Sequence, residues 1–168
     1  MGTVNFKGNP MNLLGGLPAE GAYAPPFTLA AQDLSDITLE SFRGKRVVLN
    51  IFPSLDTDVC AASVRRFNVE AASLPDTKVL CVSMDLPFAA ARFCTVNGIS
   101  NVMTASGFRS DFGEDYGVMI ADGPLRGLYA RCLVVIDRDG KVLGVSLCNE
   151  TTDEPDYGFA ARLLSDGK

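Results

Sequence analysis

Chemistry in this chain has to come from cysteine. Histidine is absent, and cysteines stand at Cys60, Cys81, Cys94, Cys132 and Cys148. Without an imidazole there is no Cys–His or Ser–His couple, no histidine-ligated metal and no histidine acid–base step. What remains is a thiol activated by its surroundings, and Cys60 is the best placed. It follows the apolar run Asn50-Ile51-Phe52, then Pro53 and a turn, and it falls in the first turn of a helix expected over 57–74. Unpaired N–H groups and the positive end of the dipole at a helix start favour a thiolate. Asp56 and Asp58 act against it, because nearby anions disfavour a second negative charge. Thr57 reads either as a plain N-cap or as a hydroxyl that reaches the sulfur or a bound oxygen. By residue type alone, Cys60 is open between a buried structural thiol, the commoner case, and a nucleophile.

The elements around it read as an α/β sandwich. Arg46 to Phe52 is almost wholly apolar, the pattern of a central strand buried on both faces. Lys78 to Ser83 is a second such strand, and a helix over 87–97 follows, with Pro87 suited to its first turn. Val102 to Thr104 is a short strand and Arg109 to Tyr116 a short helix. Arg131 to Asp137 and Val142 to Leu147 form a hairpin through Arg138-Asp139-Gly140, and a last helix spans 156–164. Upstream, Thr3 to Lys7 and Met11 to Leu14 form an N-terminal hairpin about a turn at Gly8-Asn9-Pro10. Two parallel βα units followed by an antiparallel pair make the central sheet mixed. With 168 residues and no linker or repeat, one domain over 1–168 is expected.

Composition narrows the function classes. The net charge of −5 and scattered basic residues speak against nucleic acid. No apolar run approaches the ~20 residues of a membrane helix, and polar residues break up the N-terminus, so a cytoplasmic protein is expected. Five widely spaced cysteines fit neither a disulfide framework nor a zinc site. Cys-x-x-Cys is missing, which disfavours a dithiol exchanger. Asp137-Arg138-Asp139-Gly140 lacks the spacing of a calcium loop. Cys81, Cys132 and Cys148 lie in apolar strand patterns and read as structural.

Pro53-x-x-x-Thr57-x-x-Cys60 resembles the active-site signature of the peroxiredoxins, and Lys45 to Phe67 resembles the bacterial thiol peroxidase subgroup, the atypical two-cysteine type. Asp33 to Asp36, Asp85-Leu86-Pro87-Phe88-Ala89 with Arg92-Phe93-Cys94, Ala121 to Leu125 and Glu154 to Tyr157 carry the likeness over nearly the whole chain. The resemblance implies a thioredoxin-like sandwich with an N-terminal hairpin, and reduction of alkyl hydroperoxides and hydrogen peroxide without metal or cofactor. It makes Cys60 the peroxidatic cysteine and Thr57 the residue that orients peroxide and thiolate. Pro53 becomes the shield of the pocket, Cys94 the resolving cysteine and Arg131 the cation that stabilises the thiolate. It further implies an intrachain Cys60–Cys94 disulfide, thioredoxin as electron donor and a homodimer. Without the resemblance, Arg131 reads as an exposed charge at a strand end, with Arg92, Arg109 and Arg126 as competitors. Since Cys60 and Cys94 fall in separate helices, the reduced enzyme is expected to hold them apart and to loosen both helix ends before they bond. The alternatives are a thiol–disulfide exchange protein or a redox sensor on the same fold.

Overall fold

A computed structural model describes residues 2–166. The centre of the molecule is β5, Arg46–Ile51, buried along its whole length. It pairs in parallel with β6, Thr77–Ser83, and antiparallel with β9, Cys132–Ile136. β7 (Met103–Ser106), β3 (Thr28–Ala30) and β4 (Asp36–Thr38) extend the sheet on one side. On the other side, β10 (Val142–Leu147) closes it. The order is β10-β9-β5-β6-β7-β3-β4, the mixed sheet that two parallel βα units and an antiparallel hairpin require.

Alternate residues of the central strands feed two cores. Leu49, Ile51, Leu80, Val134 and Ile136 face a cluster containing Phe27, Phe112 and Tyr116. Val48, Cys81, Leu133 and Val135 face the opposite cluster, where α1 (Asp58–Ala71), α2 (Pro87–Asn97) and α4 (Gly158–Asp166) pack, while the short α3 (Phe112–Asp115) gives its Phe112 to the first cluster. Val64 and Phe67 of α1 are fully buried there, each worth roughly 1.5–3 kcal/mol of burial. α2 begins with Pro87 and ends at Gly98, whose φ of 65° takes the left-handed turn that closes a helix. The β9–β10 turn bends at Gly140, with φ 87°.

The N-terminal hairpin is present as β1 (Thr3–Phe6) and β2 (Asn9–Leu14), but its turn is Lys7-Gly8, not Gly8-Asn9-Pro10. Lys7 and Gly8 both take positive φ, 52° and 82°, the geometry whose twist matches a two-residue hairpin, so Asn9 and Pro10 are free to join the strand. β2 also pairs with β8, Met119–Ile120, a two-residue strand that periodicity did not reveal. The hairpin is stitched to the main body downstream of β10. Asn5 N–H donates to Asn149 O at 2.6 Å, and Thr151 N–H donates to Asn5 O at 2.8 Å. The Glu150 carboxylate accepts the Lys7 and Gly8 N–H groups at 3.1 and 2.8 Å. This fixes the 149–151 segment beside the site.

Candidate active site

Cys60 lies in the first turn of α1, at the carboxyl end of β5. Its helix starts where it does because Thr57 caps it, with extended backbone and a side-chain oxygen that accepts the Cys60 N–H at 3.4 Å. The Thr57 hydroxyl donates to Ser54 O at 3.0 Å. In this structure Thr57 therefore orients the backbone of Cys60, and its proton points back into the turn.

The sulfur of Cys60 is fully buried and meets one cation. Arg131 Nη2 donates to Sγ at 3.2 Å across 71 residues of sequence. Arg131 does not open the strand; β9 begins at Cys132, and Arg131 is only 2 % exposed. The exposed-charge reading is overturned because Thr151 O accepts from both Nε and Nη2 at 3.1 Å, and the stitched 149–151 segment supplies that carbonyl. A buried guanidinium needs such partners, since taking a charge out of water is costly. Its Nη1 has no partner among the described residues.

A pocket of about 430 Å³ opens beside this pair, lined by Pro53, Thr57, Val59, Arg131, Leu125 and Leu128, with Phe6 and Lys7 of the hairpin at its wall. Two larger hollows, of about 460 and 520 Å³, lie elsewhere, one between Tyr23, Arg43 and Arg138 and one between Gln32, Phe42 and Thr104. Neither is lined by Arg131, the residue that touches Cys60 Sγ, so the smaller pocket is the candidate site.

Cys94 is placed differently. It sits in the last turn of α2, where its carbonyl accepts N–H groups from Gly98 and Ile99. Thr104 on β7 and Gln32, whose amide donates to the Thr104 hydroxyl at 2.9 Å, are the polar side chains near its sulfur, and burial raises its pKa above the ordinary thiol value. β7 and β9 are three places apart in the sheet, roughly 14 Å at the usual strand spacing. All five cysteines are free. The structure thus brings Cys60, Thr57, Pro53 and Arg131 together and leaves Cys94 outside.

Sequence reasoning missed the groups that hold the site. Thr151 contributes a backbone carbonyl, which has no side-chain signature. Ser63, on the buried face of α1, donates to Cys60 O at 2.8 Å and accepts from Asn50 Nδ2 at 3.2 Å. A serine inside an otherwise apolar stripe was the available signal.

Comparison with known proteins fixes the class. The peroxiredoxin-like protein of Aquifex aeolicus superposes with a TM-score of 0.93 at 40% identity, covering 98% of this chain and 96% of that one. The thiol peroxidase of Chromobacterium violaceum superposes with a TM-score of 0.90 at 27% identity, over 98% and 96% of the two chains. The Redoxin family matches residues 19–160, and the chain belongs to that family. The thiol peroxidase of Mycobacterium tuberculosis is 55% identical over 164 residues, covering 98% of this chain and 99% of the relative. The activity is accordingly that of a thiol-dependent peroxidase of the peroxiredoxin type.

Proposed function

We propose that Cys60 is the peroxidatic cysteine and that the chain, as one domain over 1–168, runs a two-cysteine cycle. The Cys60 thiolate attacks the terminal peroxide oxygen, the O–O bond breaks, and the alkoxide leaves and takes up a proton to become the alcohol. Cys60 is left as a sulfenic acid. The Cys94 thiolate then attacks the Cys60 sulfur, an S–S bond forms, and hydroxide departs to be protonated as water. Thioredoxin returns the two electrons and restores both thiols.

The observation that carries this reading is the 3.2 Å contact between two buried groups, Arg131 Nη2 and Cys60 Sγ. A charged donor that cannot lose its proton is the counter-ion a thiolate needs in a chain without histidine. The unpartnered Nη1 leaves a second donor for a peroxide oxygen. Thr57 orients thiolate and peroxide from the cap, and Pro53 screens the pocket from water. The apolar wall of Phe6, Leu125 and Leu128 supports alkyl hydroperoxides alongside hydrogen peroxide. Cys60 and Cys94 have different surroundings, so the ends of α1 and α2 must loosen before they bond. By resemblance, the enzyme works as a cytoplasmic homodimer. Among the described residues no helix is long and apolar enough to cross a membrane.

The test is consumption of NADPH with thioredoxin, thioredoxin reductase and an alkyl hydroperoxide. Sustained turnover is expected. A disulfide exchanger would ignore the peroxide, and a sensor would oxidise once without turning over.

A further inference from the structure

Asp85 takes no part in the steps above, yet it joins the two segments that must move. It lies between β6 and α2, one residue ahead of the Leu86 that precedes the helix. Its carboxylate accepts from Ser54 Oγ, Leu55 N–H and Ser83 Oγ, each at 2.7 Å. Its carbonyl accepts from Ser106 Oγ on β7. The Ser83 bond stays within its own segment. The Ser54 and Leu55 bonds cross, over 31 and 30 residues of sequence, to the turn that enters α1. That turn holds the site, because Ser54 O accepts both the N–H and the hydroxyl of Thr57, and Thr57 caps Cys60. The path from carboxylate to Cys60 is three hydrogen bonds long. On its other side, Asp85 leads directly into the helix that carries Cys94.

We propose that Asp85 is a positioning residue that latches the Cys60 turn to the start of α2 and so sets how often the two segments part for disulfide formation. The proposal rests on the two-cysteine cycle above. Hydrogen bonds to a carboxylate are about twice as strong as neutral ones, and both crossing bonds must break for the turn to leave. The latch then decides the fate of the sulfenic acid. While it is closed, a second peroxide can meet Cys60, adding one oxygen to the sulfenic acid to give the sulfinic acid and releasing one alcohol. Once it is open, Cys94 captures the sulfur first.

Asp85→Asn turns one acceptor oxygen into an amide donor that faces an incoming N–H or O–H. The closed state should lose preference by roughly tenfold. While closed molecules still predominate, disulfide formation rises by about that factor and the peroxide step falls by less. Ser54→Ala removes one crossing bond and should show a smaller change in the same direction, even if Asp85→Asn folds poorly. The experiment mixes the reduced full chain with cumene hydroperoxide, quenches in acid, alkylates, and follows sulfenic acid, disulfide and sulfinic acid by mass spectrometry. Faster disulfide formation is expected, together with a higher peroxide concentration for half-conversion to sulfinic acid. Disulfide formation that is unchanged or slower in both variants overturns the latch. A slower peroxide step with no faster resolution marks Asp85 as merely structural and overturns it too. If the wild type forms no Cys60–Cys94 disulfide, the cycle itself fails, and the latch has nothing to gate.

Discussion

The turn at Cys60 and the last turn of α2 at Cys94 put the same side chain into opposite surroundings. Cys60 stands at the positive end of a helix with Arg131 on its sulfur; Cys94 stands near the negative end of one, with only the neutral side chains of Thr104 and Gln32 nearby. Both are buried. Burial alone therefore does not separate the two thiols; the charge facing the sulfur does. Cys81 completes the contrast. It is as buried as Cys60, meets only Asn50 Nδ2 at 3.7 Å, and its pKa is pushed up to about 12 by burial. It is a thiol with no route to an anion at neutral pH.

The largest test of this contrast removes the sulfurs one at a time. Cys60→Ser should abolish peroxide turnover in the NADPH-coupled assay. Cys94→Ser should retain one stoichiometric oxidation of Cys60, read by mass spectrometry, and lose recycling by thioredoxin. Normal steady-state activity in the Cys60 variant would end the assignment.

Next comes the charge itself. Arg131→Ala should slow the peroxide step by roughly 10²–10³-fold, the usual cost of one positioned donor at a developing charge. Arg131→Lys should recover part of it, because a lysine can face Sγ but cannot also span Thr151 O with two donors. Competition for peroxide against a reference peroxidase measures both.

Cys81 gives a smaller effect, on stability rather than rate. Its pKa lies near 9.0 when exposed and about 12 when folded, so the unfolded chain loses the proton first. The stabilisation is whole below pH 9 and drains away as pH rises toward 12, by at most about 1.4 kcal/mol per pH unit. Tyr129, pushed from 10.0 up to about 12 by burial, adds its own loss higher in the window. Cys81→Ala should flatten the fall in melting temperature above pH 9, and an unchanged slope would contradict this.

The smallest effect belongs to the cap. Thr57→Ala should cost about 1 kcal/mol of stability in denaturant melts, as loss of an N-cap usually does. The peroxide step should fall as well, since the Cys60 N–H loses its partner.

Much of this was legible in advance. The apolar run of β5, Pro87 at the start of α2, and the Arg138-Asp139-Gly140 turn each act locally, so their residue types announce the element they make. Cys60 and Thr57 were legible for the same reason, as neighbours at one helix start. Arg131 was readable only through resemblance, because its burial depends on Thr151, twenty residues downstream, and on a hairpin at the other end of the chain. Asp85 stood in a recognised stretch, but nothing in its type says that its partners are Ser54 and Leu55. The Lys7-Gly8 turn was misplaced by a residue because Asn9 and Pro10 are also turn formers, and only the backbone geometry decides among them.

The Arg131–Cys60 contact spans 71 residues, and the carbonyl that steadies Arg131 lies later still. During synthesis the sulfur emerges well before its counter-ion. On the proposed cycle, a growing chain carries Cys60 without the cation that the cycle assigns to it, and its reactivity switches on only when the last strands dock. Peroxide reactivity at Cys60 would then be a readout of completed folding, and fragments ending before Arg131 should be spared the oxidation that the proposal expects of the whole protein.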